Sequence, residues 1–224
     1  MDLEALLLSV RLATVVCIAL LIVGLPIAYW IAFSTWRWKF LVEAVVALPL
    51  VLPPTVLGFY VLVAIGARSP IGQAWTSWFG EGLAFSFEGL VLASILYSLP
   101  FAVQPFAAAF AQVDRSLLEA SAVLGASRLR TAWRILLPLS INGIITGVVL
   151  SFAHTIGEFG VVVMVGGNLP GVTRTVSIAI YDDVQALEYG RANATALALV
   201  VFSVCVLAAV YALNRRVWQV QPRP

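Results

Sequence analysis

Residues 12–33 run for 22 positions without a charged side chain. Wound as an α-helix, a run of that length and polarity matches the hydrocarbon thickness of a bilayer. The pattern recurs. Residues 44–67 are also uncharged and contain Pro49, Pro53 and Pro54. Residues 89–110 contain Pro100 and Pro105. Residues 138–157 stop just before Glu158, and 192–213 are closed by Arg215 and Arg216. In lipid every backbone polar group must be paired internally, and helices achieve that alone. The expected fold is an all-α integral membrane protein of five crossing helices forming one domain over residues 1–224.

Composition agrees. Apolar residues make up 62% of the chain and charged residues 11%, with a mean hydropathy of +1.01. A soluble domain has about 25% charged residues and must cover its core with polar surface. A soluble globule and a disordered chain are both excluded. The net charge of +2 gives no reason to expect a nucleic-acid partner. Cys17 and Cys205 lie inside apolar runs. They have no metal-ligand spacing and read as small buried hydrophobes, with no metal site expected. Asp2 and Glu4 stand where a cleavable signal would carry basic residues, so no such signal is read.

The segment 159–191 is divided by Gly166, Gly167, Asn168, Pro170 and Gly171, and its second half carries Arg174. It reads as a partly embedded loop with short helices rather than a sixth span. With five spans, one side collects Arg37, Lys39, Arg115, Arg128, Arg130, Arg134, Arg215, Arg216 and Arg223. The other collects Arg11, Arg68, Arg174 and Arg191. The richer side is expected to be cytoplasmic, which puts the N-terminus outside and the C-terminus inside. Trp75 and Trp78 on the outer side, and Trp36 and Trp38 on the inner, fit interfacial belts.

Pro49, Pro53 and Pro54 forbid one straight helix over 44–67. A kinked packing helix and a broken helix lining a pathway both satisfy that constraint. In the fourth span Gly143, Gly147, Ser151 and Thr155 recur every fourth residue. His154 and Glu158 share their arc of about 120°. Close helix packing and a water-filled path again compete. His154 and Glu158 are four apart and are placed to pair.

Residues 114–138 form the longest inner loop and read as two short helices. Ser116 and Glu119 have capping-box spacing. Gly125 stands where a left-handed helix end is wanted, and Ser127 is placed to cap a second helix. Such a knob would present Ala120, Ser121 and Ala122 to a partner inside a ring of arginines.

Glu119-Ala120-Ser121, three residues, Gly125, nine residues, Ile135, one residue, then Leu137-Pro138 resembles the EAA loop of bacterial ABC importer permeases. Serine in place of the third residue's alanine is the one departure. Residues 48–56, 157–160 and 168–175 are similar to stretches of the molybdate permease branch. The resemblance implies the type I importer permease fold. It makes Glu119, Ala120, Ser121, Gly125, Ile135, Leu137 and Pro138 the coupling surface for an ATPase. It further implies a homodimer in the bacterial inner membrane, two cytoplasmic ABC ATPase subunits that bind ATP and Mg, and an external oxyanion-binding protein. Pro53, Pro54, Ser151, Thr155 and Glu158 are the candidate pathway residues.

No phosphate loop is present, and the single lysine, Lys39, has no glycine-rich approach. The chain is therefore read as a non-catalytic permease subunit without a bound cofactor. Molybdate, and with it tungstate, is the expected cargo. Sulfate or thiosulfate carried by the same kind of machine, and a stand-alone secondary transporter, are the alternatives. Glu158 would repel an oxyanion and is not read as its ligand.

Overall fold

The structure, a computed structural model, describes the backbone of residues 2–218 and side chains as far as residue 212. Arg223 lies outside the described residues, as do the side chains of Arg215 and Arg216. All regular structure among the described residues is helical.

Helix α1 spans Leu3–Phe33, and its N-cap Asp2 accepts a hydrogen bond from the Ala5 N–H at 3.0 Å. That cap starts the helix nine residues before the uncharged run, so α1 is longer than the run alone suggests. The second apolar run is not a single rod. Helix α2 (Lys39–Ala47) passes into a tight turn over Leu48–Leu50. After Pro53, extended at φ −54° and ψ 136°, helix α3 (Pro54–Ile65) begins. The two halves meet at 109°. Pro54 occupies the first turn, where its missing N–H costs nothing.

Helix α4 (Pro70–Phe79) is a short helix that the apolar runs do not announce. Ser69 caps it and Gly80 ends it at φ +80°. Trp75 stacks on Phe79 at 4.2 Å, and Trp78 is exposed. Helix α5 spans Phe87–Ala111 behind its cap Ser86. Helices α6 (Arg115–Val123) and α7 (Arg128–Thr131) follow. A π turn over Ala132–Leu136 leads to α8 (Leu137–Leu139) and then α9 (Ile141–Gly157). A 73° bend separates Arg128–Leu139 from α9.

Helices α10 (Gly160–Gly166) and α11 (Val176–Gln185) occupy the divided segment, and α12 spans Tyr189–Trp218. Between them the chain reverses at Gly167 and Gly171, both at positive φ. Thr173 ties this loop by donating to the Gly166 carbonyl at 2.7 Å and accepting from the Leu169 N–H at 3.1 Å. Arg174 pairs with Asp182 at 2.8 Å.

Three single helices, α1, α5 and the 189–212 part of α12, are long and apolar enough to cross a membrane. The number is five if each bent pair is one crossing. The core is the three-way contact of α1, α5 and α9, filled by Leu12, Val16, Leu20, Val103, Phe106 and Phe110. Cys17 is buried there, with Sγ 3.5 Å from the Val148 carbonyl oxygen. Cys205 is exposed on α12 and is not the buried hydrophobe that its apolar run suggests.

Candidate functional site

The knob between α5 and α9 is built from local signals. Its cap is Asp114, whose side chain accepts from the Ser116 N–H at 2.9 Å. The capping box read at Ser116 and Glu119 is therefore displaced. Ser116 already lies inside α6, two residues past an aspartate that reaches the free N–H groups first. The Ser116 N–H, and then its side chain, hold the Asp114 carboxyl below the usual carboxylate range. A depressed value means that the cap stabilises above the unfolded pKa and is lost as pH falls through the folded one.

Helix α6 ends as its glycine requires. Gly125 has φ +76°. The Gly125 N–H donates to the Ala122 carbonyl and the Ala126 N–H to the Ser121 carbonyl, both at 3.0 Å. This is a Schellman closure, which satisfies carbonyls the helix end would otherwise orphan. Ser127 then caps α7 by accepting from the Arg130 N–H at 3.3 Å. The π turn follows, closed by the Leu137 N–H to the Ala132 carbonyl. Pro138, next in line, has no N–H to continue a regular ladder.

The knob's surface differs from the expected one in one respect. Glu119, Ala120 and Ala122 are exposed, but Ser121 is buried. Its hydroxyl lies 2.8 Å from that of Thr131 and joins α6 to α7. Ser121 therefore holds the knob together instead of facing a partner. Ile135 and Leu137 are half-buried and Pro138 is exposed. The outermost apolar side chains are Val123 and Leu124, 87% and 86% exposed, the two residues immediately before Gly125. A cleft of about 150 Å³ lined by Tyr29, Leu118, Ala122 and Thr131 separates the knob from α1.

Ser121→Ala is expected to cost about 1 kcal/mol, since it leaves the half-buried Thr131 hydroxyl without its partner. Ser121→Ala and Thr131→Val combined should cost less than the sum of the two. A thermal melt of the purified protein checks both, and strict additivity would dissociate the two hydroxyls.

The small-residue stripe of α9 faces the protein. A Cβ at Gly143 would collide with Ala109, and one at Gly147 would sit 2.5 Å from the Phe106 ring. Ser151 and Thr155 are 0% and 2% exposed. Ser98 on α5 lies 3.0 Å from both the Thr155 hydroxyl and His154 Nδ1. His154 stacks on Phe101 with centroids 3.9 Å apart. It does not pair with Glu158. The Glu158 Oε1 instead accepts from the Val161 N–H at 2.8 Å and closes the start of α10. The stripe is thus a packing seam within one chain, because small residues let α5 and α9 approach and the Thr155 hydroxyl pairs with Ser98 across the contact, while the buried Ser151 hydroxyl has no partner among the described residues. Cysteines at Ser151 and Thr155 are expected to resist water-soluble thiol reagents in every nucleotide state; rapid labelling of either would reopen a wet path along α9.

Pro54 and Glu158 do come together. A Cβ at Gly160 would lie 2.6 Å from the Pro54 Cβ and 3.7 Å from Glu158 Oε1. Gly58 makes a similar close approach to Met164 and Val161. The break at 51–53, with exposed Val51 and Pro53, therefore lies against the capped start of α10. Three participants left no local signal in the sequence: Thr131, Ser98 and Phe101. Each is identified by a partner on another helix. Asp114 did leave one: it stands two residues before Ser116, within reach of the same free N–H groups.

Residues 24–219 match the family described as binding-protein-dependent transport system inner membrane component. The chain is 50% identical over 215 residues to the molybdenum transport system permease protein ModB of Azotobacter vinelandii, covering 96% of this chain and 95% of that one. It is 38% identical over 205 residues to the protein of the same name from Escherichia coli K12, covering 92% and 89%. Among solved structures, the MetNI methionine ABC transporter in an inward-facing form aligns over 98% of this chain and 96% of that one. The TM-score is 0.70 at 14% identity. A bacterial alginate ABC transporter, in complex with a pentasaccharide-bound periplasmic protein, also aligns with a TM-score of 0.70, at 18% identity, covering 96% and 78%.

Proposed function

The chain belongs to the family of binding-protein-dependent transport system inner membrane components, and from that premise we propose that it is the membrane subunit of an ATP-driven molybdate importer. The observation that carries the cargo assignment is the 50% identity, over 96% of the chain, to a molybdenum permease. A match of that extent covers the knob, the 51–54 break and the 168–175 loop alike.

The chemistry of the chain fits a conduit. In this reading ATP with Mg belongs to partner ATPase subunits. The knob supplies what such a partner needs. Val123, Leu124 and Ala120 offer apolar contact, Gly125 keeps the turn tight, and Arg128 and Arg130 ring it with charge. Two chains form a homodimer around a central path, and each knob docks on one ATPase. Closure of the ATPases draws the knobs together and turns the spans outward. A binding protein on the outer side then releases its oxyanion, and hydrolysis resets the inward state.

The path runs past Pro53, Pro54 and Glu158. Ser151 and Thr155 support it from behind by holding α9 on α5. Glu158, engaged by α10, keeps its carboxylate off the passing anion. The basic side of the chain is cytoplasmic, so the N-terminus lies outside and the C-terminus inside.

The decisive experiment reconstitutes the chain with an ABC ATPase and an oxyanion-binding protein in vesicles and follows ATP-driven uptake. Molybdate uptake competed by tungstate and not by sulfate is the expected result. Sulfate uptake without molybdate uptake would overturn the cargo, and uptake without ATP would overturn the importer class. A reporter fused after residue 216 should read cytoplasm and one near Glu81 the outside; the reverse would sink the orientation.

A further inference from the structure

Gln104 carries an amide inside the uncharged span of α5, and it is exposed. It stands about 26 Å along the helix from Phe87 and about 160° around it from Phe106, a central residue of the core. Tyr97, Phe101 and Ala108 share its face of α5, all within about 60° of it. Lipid offers no partner to the donors and acceptor of an amide, so a polar side chain at this depth turns to protein or to water. A second polar group reaches the same face from α9. His154 stacks on Phe101 with centroids 3.9 Å apart, and its ring lies 5.0 Å from that of Tyr97. At the N-terminal end of the face, Tyr97 packs against the cluster formed by Val61 of α3 and Val161 of α10. Those two helices are the ones that bring Pro54 to Gly160 and Glu158. The face is therefore continuous with the region of the 51–53 break.

The hydrogen bonds around His154 decide what it presents. Thr155 donates its one hydroxyl hydrogen to the Ser151 carbonyl at 2.8 Å. In its 3.0 Å contact with Thr155, Ser98 must therefore be the donor. Ser98 then has no hydrogen left for His154, so His154 Nδ1 carries the proton and donates to Ser98 at 3.0 Å. In the neutral ring Nε2 is left with a lone pair, which suits no anion. Between Gly89 and Ala111 no residue is charged. The face thus offers an anion the N–H donors of Gln104 without a fixed positive charge to hold it back. We propose that this face of α5, with Gln104 as its N–H donor and His154 beside it, is a wet wall of the translocation path, and that the passing tetrahedral oxyanion contacts Gln104. The contact with cargo rests on the importer reading above; the wetness of the face does not. The seam at Ser151 and Thr155 lies behind this wall and stays dry.

Single cysteines at Gln104, Ala108, Ser151 and Ile22 test the wall, in a chain whose Cys17 and Cys205 are replaced by alanine and which is reconstituted with an ABC ATPase. The probe is a positively charged methanethiosulfonate, which reads water because the thiolate reacts and a thiol in lipid stays protonated. Gln104→Cys and Ala108→Cys are expected to label at least about tenfold faster than Ile22→Cys, on the exposed side of α1, and Ser151→Cys, in the seam, either without nucleotide or with a trapped ATP analogue. Silence at both positions in both states overturns the wall, whether lipid or a second copy of the chain covers the face. The contact with cargo is read as molybdate transported per ATP hydrolysed, with membrane level and assembly verified for each variant. Gln104→Glu sets a like charge beside the oxyanion and is expected to lower that ratio at least about fivefold. Gln104→Asn, which keeps the amide, should stay near wild type. An unchanged ratio for Gln104→Glu overturns the contact even if the face labels. A wild-type complex that carries no molybdate would overturn the importer reading instead, and the labelling would still decide whether the face is wet.

Discussion

Gly125→Val is expected to abolish ATP-driven uptake while the protein still inserts and assembles its spans. Gly125 sits at φ +76° between α6 and α7. A β-branched residue there costs at least about 1–2 kcal/mol and opens the closure that joins Ala126 to Ser121. A Cβ at this position would meet nothing within 4 Å of its own chain. Any steric effect must therefore come from a partner, and the conformational effect falls on the knob alone. Gly125→Ala should be milder, about 1 kcal/mol of local strain. Uptake in vesicles, normalised to the amount of inserted protein, should fall at least about tenfold for the valine variant, the change that 1.4 kcal/mol produces in an equilibrium. Undiminished uptake by Gly125→Val would remove the knob from energy coupling.

Gly147→Leu is expected to fail earlier, at the folding of the membrane domain. Its Cβ would press on the Phe106 ring at 2.5 Å and on the Ala102 carbonyl at 3.0 Å, in the most buried part of the α5–α9 contact. Phe106 is 0% exposed and has no free volume to enter. Overpacking of that kind costs about 2–3 kcal/mol. In a membrane, where close packing rather than water exclusion joins helices, no hydrophobic gain offsets it. The expected readout is a lower aggregation temperature in detergent and little protein at the membrane. Gly157→Ala is the control, because a Cβ there meets nothing within 4 Å. If both variants behave alike, the seam is not tightly packed.

How far the site could be read from the chain depended on how far apart its partners lie. The Gly125 turn and the Ser127 cap are decided within a few residues, and both stand as local chemistry requires. Asp114 replaced Ser116 as the cap because two candidates stood within reach of the same N–H groups, and spacing alone does not rank them. Ser121 turned inward because Thr131, ten residues on, offers it a hydroxyl. His154 and Glu158, four apart and apparently matched, each found another partner. Ser98 stands 56 residues from the one, and the Val161 N–H three residues beyond the other.

The long uncharged runs were enough to require an all-helical membrane chain. Lipid leaves backbone groups no other partner, and that demand is met residue by residue along one helix. The fixed separations from Glu119 to Pro138 were likewise enough to mark the knob, since each element there is closed by its own turn and cap. Periodicity put Gly143, Gly147, Ser151 and Thr155 on one face, but not what that face meets. A stripe of small residues serves a dry contact and a wet path equally well. The choice came only when α5 laid Ala102, Phe106 and Ala109 against it, from more than thirty residues away in the chain. The 109° break at 51–53 was decided in the same way. Prolines permit many angles, and the close approach of Pro54 to Gly160, with Glu158 capping α10 beside it, selects one.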